Sequence, residues 1–222
     1  MQGKQSMRTI KDRSLYVVIS EEYGMGRPAI EIAKEAVSGG ADILQLREKG
    51  KPAEEIVMTG KEIAAICKAG GRIFIVNDDP LIARRIGADG VHLGQEDIKR
   101  FPIKTARSTV GQGGIIGVST HSLEQFEKAN EEDVDYIAFG PIFPTKTKDY
   151  AIGTADIEDV MRLAKRPVFF IGGITIANMD EILNRGGRNV ALIRGVSEAA
   201  DMAKAARGFK EMLCEGKERL RI

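Results

Sequence analysis

The sequence has little of what marks the specialised classes of protein. It has two cysteines, no tryptophan, and no apolar run near the roughly 18 residues that a membrane-spanning helix needs. Its 33 Lys and Arg residues balance 32 Asp and Glu residues, so the formal net charge is only +1. Such a chain has no overall field to hold it on nucleic acid or an anionic membrane. A disulfide scaffold, a membrane protein and a coiled coil are excluded, whereas a local basic pocket is not.

The N-terminal segment and the cysteines indicate a compartment. Met1–Asp12 is polar and lacks the apolar core of a signal peptide. Cys67 and Cys214 suit a reducing environment and form no metal-binding pattern. We therefore expect a cytoplasmic protein with a short polar N-terminal extension and a charged, frayed C-terminal tail at Glu215–Ile222.

Short apolar segments alternate with segments of helical spacing. In Ala53–Ala69, for example, Ile56, Ile63 and Cys67 share one helix face. Most apolar segments are continuous, as in parallel strands that are covered on both faces. The predicted strands are Leu15–Ser20, Ile43–Arg47, Ile73–Asn77, Gly90–Leu93, Ile115–Ser119, Tyr136–Gly140, Val168–Gly172 and Val190–Arg194.

Eight strand–helix units with a period of about 25–30 residues predict an α/β fold, a single (β/α)8 TIM barrel over residues 1–222. The alternative is an open doubly wound sheet, which normally carries a GxGxxG turn after its first strand. Here only Gly24 and Gly26 match that turn, and no low-complexity linker divides the chain. The sequence therefore favours one barrel.

Barrel enzymes place their catalytic side chains at the carboxyl ends of the strands. After the second strand, Gln45, Arg47 and Lys49 alternate with Leu46, so they are predicted to face the barrel mouth together. Two cations and an amide at a mouth favour an anion site. A surface salt-bridge network at a strand end is the alternative.

Carboxylates follow the third and fourth strands. Asp79 precedes Pro80 and is explained as a helix cap, whereas Asp78 beside it has no such explanation. Asp97 follows the fourth strand and could merely cap the next helix. As a pair from adjacent strands, Asp78 and Asp97 could instead hold Mg²⁺, which takes one or two carboxylates together with phosphate oxygens.

The loops after the last three strands have the composition of a second anion site. Ile142–Phe143 resembles one wall of a pocket, and Gly172–Gly173 would let backbone N–H groups approach an oxyanion. The loops after strands seven and eight form the recurrent phosphate site of this fold. Hydroxyls and amines follow the sixth strand in Thr145, Lys146, Thr147 and Lys148.

The two histidines form no catalytic set that the sequence reveals. His92 lies between Val91 and Leu93 and is predicted to be a hydrogen-bonded residue of the barrel interior. His121 is ambiguous, since it could equally begin a helix. No Ser-His-Asp or Cys-His combination is apparent, so the sequence offers no obvious covalent nucleophile.

These motifs together resemble the thiamine phosphate synthase family, also called thiamine-phosphate pyrophosphorylase. The resemblance implies joining hydroxymethylpyrimidine diphosphate to a phosphorylated thiazole, in its plain or carboxylated form, with release of pyrophosphate. The matching segments are Gln45–Lys49 (QLREK), Asn77–Asp78, Gly90–Asp97 (GVHLGQED), Gly117–His121 (GVSTH), Tyr136–Lys148 (YIAFGPIFPTKTK) and Gly172–Ile174.

The resemblance also implies a role for each site residue. Asp78 and Asp97 would bind Mg²⁺, and Arg47, Lys49 and Lys148 would hold the leaving diphosphate as the catalytic residues. The pyrimidine diphosphate would contact Gln45, Arg47, Lys49, Asn77, Ser119 and Lys148. The thiazole phosphate would contact Thr145, Lys146, Thr147, Gly173 and the backbone of Ile193 and Arg194. Related sequences often carry Ser at position 194, which is the one departure in this chain.

Two alternatives stay open. A thiazole tautomerase of the same family moves a proton and needs no diphosphate site, and a non-catalytic barrel could sense a phosphorylated metabolite. Asp78, Asp97 and Lys148 favour the synthase, because tautomerase-like members tend to lack that metal set. The expected partners are small phosphorylated substrates rather than nucleic acid or membrane, and the sequence is compatible with a homo-oligomer.

Overall fold

Eight parallel strands close into a barrel in chain order, with β8 paired to β1. The predicted (β/α)8 TIM barrel is therefore confirmed. The computed structural model describes residues 9–219, with side chains as far as Glu215. The strands are β1 (Leu15–Ile19), β2 (Ile43–Leu46), β3 (Ile73–Asn77), β4 (Gly90–Leu93), β5 (Ile115–Thr120), β6 (Tyr136–Phe139), β7 (Val168–Ile171) and β8 (Asn189–Leu192).

Within residues 9–219, ten helices lie between the strands or after β8, and a short 3₁₀ turn (Glu21–Tyr23) follows β1. They are α1 (Ala29–Ser38), α2 (Ala53–Ala69), α3 (Pro80–Ile86), α4 (Gln95–Arg100), α5 (Ile103–Val110), α6 (Leu123–Asn130), α7 (Ile157–Leu163), α8 (Met179–Leu183), α9 (Arg194–Ser197) and α10 (Met202–Arg219). Helix α10 continues past Glu215, where we expected the frayed tail to begin, and most of the N-terminal extension lies outside the described residues. Between residues 9 and 219, no helix combines the length and the apolar character that crossing a bilayer requires.

The eighth strand is the one whose predicted end differs most from the structure. It stops at Leu192, and the backbone of Ile193 leaves the extended region at φ −110° and ψ −81°. Arg194 is therefore the first residue of α9 and not the last residue of β8. This places its side chain at a helix start, where it can reach the next helical turn.

The interior of the barrel is a separate apolar layer with aromatic rings at its centre. Tyr16, Tyr136 and Phe169 meet edge to face there, with ring centroids 5.3–5.8 Å apart. Gly117 makes room for them, since a Cβ at that position would lie 1.9 Å from Cζ of Tyr136. The main core lies between the barrel and the helices and contains Leu46, as the alternation in β2 predicts.

A repeated device joins neighbouring strands at the amino end of the barrel. A carboxylate or amide at the start of an even-numbered strand accepts a backbone N–H from a neighbouring strand: Asp42 from Leu15, Asp89 from Phe74, Asp135 from Ile116, and Asn189 from Ser14. Each bond satisfies a donor that precedes or opens the parallel ladder, so it stabilises the register.

Asp135 allows this device to be tested. Its Oδ2 lies 2.8 Å from the Ile116 nitrogen and 2.9 Å from Nη2 of Arg107. Asp135→Ala leaves that buried N–H unpaired, so the free energy of unfolding should fall by about 1–3 kcal/mol. Asp133→Ala is the matched control, because exposed Asp133 also pairs with Arg107 but holds no strand. Urea unfolding should show a loss below about 1 kcal/mol for that control; equal losses would contradict the strand-pinning role.

Candidate active site

A cavity of about 670 Å³ opens at the carboxyl ends of the strands. This volume suits small-molecule ligands. Most of the predicted site residues line it, and they come from the ends of six strands. They are Gln45, Arg47, Asn77, Ser119, Thr145, Lys146, Thr147, Lys148, Gly173, Ile193 and Arg194.

Three predicted residues do not line this cavity but follow the same strands that border it. Lys49 lies at the rim, with Nζ 3.9 Å from Oδ2 of Asp78, and its side chain is 58% exposed. Asp78 has a left-handed backbone, with φ at +67°, and its N–H donates to the carbonyl of His92 at 2.8 Å. A non-glycine residue in this conformation is uncommon, and here it directs a carboxylate toward the rim.

Asp97 serves two purposes. Its Oδ2 accepts the N–H of Gly94 at 2.9 Å, which is the helix-capping interaction that we considered. It also lies against Asp78. Burial first, and then the hydrogen bond and charge of Asp97, raise the pKa of Asp78 to about 6. Two carboxylates that repel each other are best stabilised by a shared proton or a cation.

The pair fits the predicted Mg²⁺. Within residues 9–215 there is no group of three or more metal-ligating side chains, so no all-protein cage exists there. Mg²⁺ commonly binds through one or two carboxylates and completes its shell with water and substrate phosphates. Asp78 and Asp97 would supply the protein's share of such a shell.

Arg47 follows β2 and carries a buried nitrogen without a partner. Among the described residues, Nη1 makes no hydrogen bond, and the nearest paired carboxylate, that of Glu22, is 4.0 Å away. An unpaired buried donor is costly, and a charged one more so. A guanidinium in this state at a cavity wall favours an anionic ligand.

The loop after β6 forms a tight turn that presents four side chains. Thr145 and Lys148 form an isolated antiparallel bridge, and the hydroxyls of Thr145 and Thr147 lie 3.1 Å apart. The expectation that Ile142 and Phe143 form a wall of the pocket was wrong. Both pack into the core between the barrel and the helices. An apolar side chain is more stable there than on the wall of an open cavity, because it is removed from water.

Gly172 and Gly173 are required by the backbone. Their φ values are +100° and +63°, and a Cβ on Gly173 would lie 2.4 Å from the carbonyl oxygen of Pro144. The loops after β6 and β7 therefore touch through glycine, and the N–H of Phe143 donates to the carbonyl of Gly172 at 3.0 Å. This contact fixes the hydroxyl- and lysine-bearing turn against the next strand.

Arg194 lines the cavity while it pairs with a carboxylate. Its Nε and Nη2 donate to the two oxygens of Glu198 at 2.6 Å and 3.2 Å. Arg194, and less strongly Lys146, lower the pKa of Glu198 below its usual range. The helix-start pairing that we weighed against a phosphate contact is therefore present, and Nη1 of Arg194 makes no bond to Glu198.

His92 lies in the barrel interior, as predicted. Its Nδ1 is 2.9 Å from the hydroxyl of Tyr136, and its Nε2 is 2.8 Å from the hydroxyl of Ser119. Burial lowers its pKa to about 4, so the ring is neutral near pH 7. His121 lines the cavity with Nδ1 2.5 Å from the carbonyl of Gly140.

Sequence reasoning missed Tyr16 as a cavity residue. It lies in an unbroken apolar strand, LYVVI, and the hydroxyl is the only sign that one position there differs. Glu198 also lines the cavity and was considered only as a partner for Arg194. A search for inward-facing polar atoms within predicted strands would have found the tyrosine.

The fold and the mouth are those of a (β/α)8 barrel with a cavity for small molecules at the carboxyl ends of its strands. The sequence matches the thiamine monophosphate synthase family over residues 15–196, so the chain belongs to that family. It is a transferase of thiamine biosynthesis.

Named relatives agree with this assignment. The chain is 39% identical over 202 residues to the thiamine-phosphate synthase of Moorella thermoacetica, covering 90% of this chain and 95% of that protein. The synthase of Persephonella marina is 37% identical over 204 residues, with 91% and 96% covered. Among solved structures, thiamine phosphate pyrophosphorylase from Pyrococcus furiosus superposes with a TM-score of 0.83 at 33% identity, covering 92% and 96% of the two chains.

The raised pKa of Asp78 predicts a pH-dependent stability. Between its ordinary value of 3.8 and about 6, the folded state holds a proton that the unfolded state has lost. The free energy of unfolding therefore falls as the pH rises from 3.8 to about 6, because the folded state has to give up this proton. With chelator present, Asp78→Asn should raise the free energy of unfolding at pH 7.5 by about 1 kcal/mol, after discounting for solvent, and change it little at pH 4.

Asparagine suits this test because it tolerates the left-handed backbone of Asp78. Asp79→Asn is the matched control, since asparagine also caps α3 at that position. Urea titrations of both variants at the two pH values give the measurement. A destabilised Asp78→Asn at pH 7.5 would show that the carboxylate pair is not repulsive.

Proposed function

We propose that the chain condenses 4-amino-2-methyl-5-hydroxymethylpyrimidine diphosphate with 4-methyl-5-(2-phosphoethyl)thiazole, giving thiamine phosphate and pyrophosphate. One observation carries the proposal: a single cavity lies between two groups of anion-binding residues. One group follows β2 to β4 and includes Arg47, whose buried Nη1 has no hydrogen-bond partner among the described residues, and the other follows β6 to β8 and includes Lys146. Two phosphorylated substrates need such an arrangement if they are to react with each other.

The diphosphate belongs on the side of β2 to β4. Arg47 brings an unsatisfied buried donor, Lys49 stands beside Asp78, and Lys148 reaches the cavity from the opposite loop. These cations would meet the charge that grows on the departing diphosphate. An interaction that strengthens in the transition state lowers the barrier rather than only tightening binding.

Asp78 and Asp97 would hold the Mg²⁺ that assists this step. When bound, the ion supplies positive charge to the diphosphate oxygens and removes the repulsion between the two carboxylates. The chain's own part is to keep both carboxylates at the rim. It does so through the left-handed backbone of Asp78 and the bond between Asp97 and the N–H of Gly94.

The bond that forms requires no base from the protein. The C–O bond of the pyrimidine methylene breaks and its electron pair leaves with the diphosphate, while the amino-substituted ring stabilises the cation. The thiazole nitrogen then donates its lone pair to that carbon. The protein's part is to align the two substrates and keep water from the cation.

The thiazole phosphate belongs on the side of β6 to β8. The tight turn that follows Pro144 presents hydroxyls and Lys146, and Gly173 lets a ligand approach the backbone. Backbone groups of Ile193 and Arg194 complete this side. The diphosphate and metal residues on the other side favour the synthase over a tautomerase, which would not need them.

The proposed reaction is tested by mixing both substrates with the purified protein and Mg²⁺ and measuring thiamine phosphate. Turnover should stop with chelator and return when Mg²⁺ is added. Asp78→Asn should lower kcat by at least about a hundredfold, because metal stabilisation of a leaving group contributes several kcal/mol. Asp79→Asn, which keeps the helix cap, should retain turnover. Activity that survives complete chelation would remove the metal from the mechanism.

Arg194 provides the test that is specific to this chain. If its free Nη1 donates to the thiazole phosphate, Arg194→Ser should raise KM for that substrate by roughly tenfold. KM for the pyrimidine diphosphate should not change, since that substrate lies across the cavity. Glu198→Gln is the companion variant, because it frees the guanidinium and removes a negative charge, so it should lower KM for the thiazole phosphate. Unchanged KM values in both variants would show that the guanidinium of Arg194 does not contact the thiazole phosphate.

A further inference from the structure

Five side chains form one continuous hydrogen-bonded chain across the floor of the cavity. Gln45 Nε2 lies 2.6 Å from the hydroxyl of Tyr16, and the hydroxyls of Tyr16 and Tyr136 are 2.8 Å apart. His92 then connects Tyr136 to Ser119, at 2.9 Å and 2.8 Å. We call this set the floor relay; it draws on β2, β1, β6, β4 and β5 in turn.

The direction of every bond in the floor relay follows from one end. Nε2 of Gln45 can only donate to Tyr16, and the hydrogen of Tyr16 has an acceptor within the relay only if it goes to Tyr136. The hydrogen of Tyr136 goes in turn to Nδ1 of His92. The neutral imidazole therefore carries its hydrogen on Nε2 and donates it to Ser119. The hydroxyl hydrogen of Ser119 is left for the cavity.

The two ends of the relay consequently have opposite polarity. Within the described residues, Oε1 of Gln45 accepts no hydrogen bond and so remains available to a ligand as an acceptor. Ser119 remains available as a donor. Reversing one end requires reversing the other, because all five groups must turn together to keep every bond. In a buried chain such as this, a broken link leaves polar atoms unpaired.

We propose that Tyr16 and Tyr136 are positioning residues that lock this polarity and thereby select the heteroaromatic ring of the substrate. A ring that presents a donor to Oε1 of Gln45 fits this locked end. An aminopyrimidine presents such a donor in its amino group. A 4-oxo ring presents an accepting oxygen in its place. The identity of the ring rests on the proposed function, whereas the polarity of the relay does not.

The polarity can be read in the free protein. The chain has two histidines, so the ¹⁵N NMR spectrum of protein labelled at histidine contains few signals. It is measured at about pH 8.5, two units above the ordinary imidazole pKa of about 6.5. His92 should carry its hydrogen on Nε2. His121, whose Nδ1 faces a carbonyl, should carry it on Nδ1, and His121→Asn assigns the signals. A hydrogen on Nδ1 of His92 would overturn the proposed direction.

Selection of the ring is tested by binding. Calorimetry with Mg²⁺ compares the diphosphates of the 4-amino ring and of its 4-oxo analogue. The wild-type chain should prefer the amino ring by at least about tenfold, as expected when an unfitting ligand leaves buried polar groups unpaired. Tyr16→Phe cuts the relay beside Gln45, whose amide can then turn alone, so the preference should fall below about threefold. Tyr136→Phe cuts it at the centre and serves if the first variant does not fold.

Phe169→Leu is the control for packing. Phe169 touches both tyrosine rings but contributes no hydroxyl, so this variant should lose stability and keep the tenfold preference. Full preference in both Tyr→Phe variants would overturn the positioning role. If neither ring binds the wild-type chain, the proposed function and the ring assignment fail together, and the tautomer of His92 still decides the polarity.

Discussion

Closure of the parallel barrel is the constraint on which the rest of the molecule depends. Because β8 pairs with β1, all eight carboxyl ends meet at one mouth, and residues far apart in sequence line one cavity. At the opposite end, the acid and amide side chains at the starts of the even-numbered strands hold the register. A slip by one residue would turn every mouth residue toward the helices. The bonds at the bottom of the barrel therefore protect the geometry of the site at the top.

The site itself contains several features that oppose folding. Asp78 has a left-handed backbone and a carboxylate that faces another carboxylate, and Arg47 carries a buried nitrogen without a described partner. None of these stabilises the free chain, and the two that involve charged groups are relieved by a ligand of the opposite charge. Strain, repelling carboxylates and an unpartnered buried donor that persist at a mouth are typical of a functional site. The barrel tolerates them because its two apolar layers lie below the mouth.

Much of the fold and of the site could be predicted from the sequence, for identifiable reasons. Continuous apolar strands and Asp79-Pro80 at a helix start are local signals, and the strand ends mark the mouth in any barrel. The rest depended on contacts between distant residues. Arg194 was placed on a strand because IRGVS does not show where the extended backbone ends. Ile142 and Phe143 were assigned to the pocket because the sequence cannot say which side of a loop is buried. Tyr16 was not singled out within its apolar strand, since its hydrogen-bond partners are 29 and 120 residues away.

The floor relay shows why the interior of this barrel is not only packing. Apolar side chains would fill the space of Tyr16, Tyr136 and His92 at lower risk, since a partly satisfied buried network is worse than none. Each of the three side chains hydrogen-bonds to two partners, and the ring of Tyr136 occupies the space where a side chain at position 117 would lie. Such a network has only two self-consistent directions. Independent polar groups on a cavity wall could each reorient to suit either ring, whereas the groups of a connected network can reorient only together. The connection through the core thus turns a packing layer into a means of discrimination at the cavity.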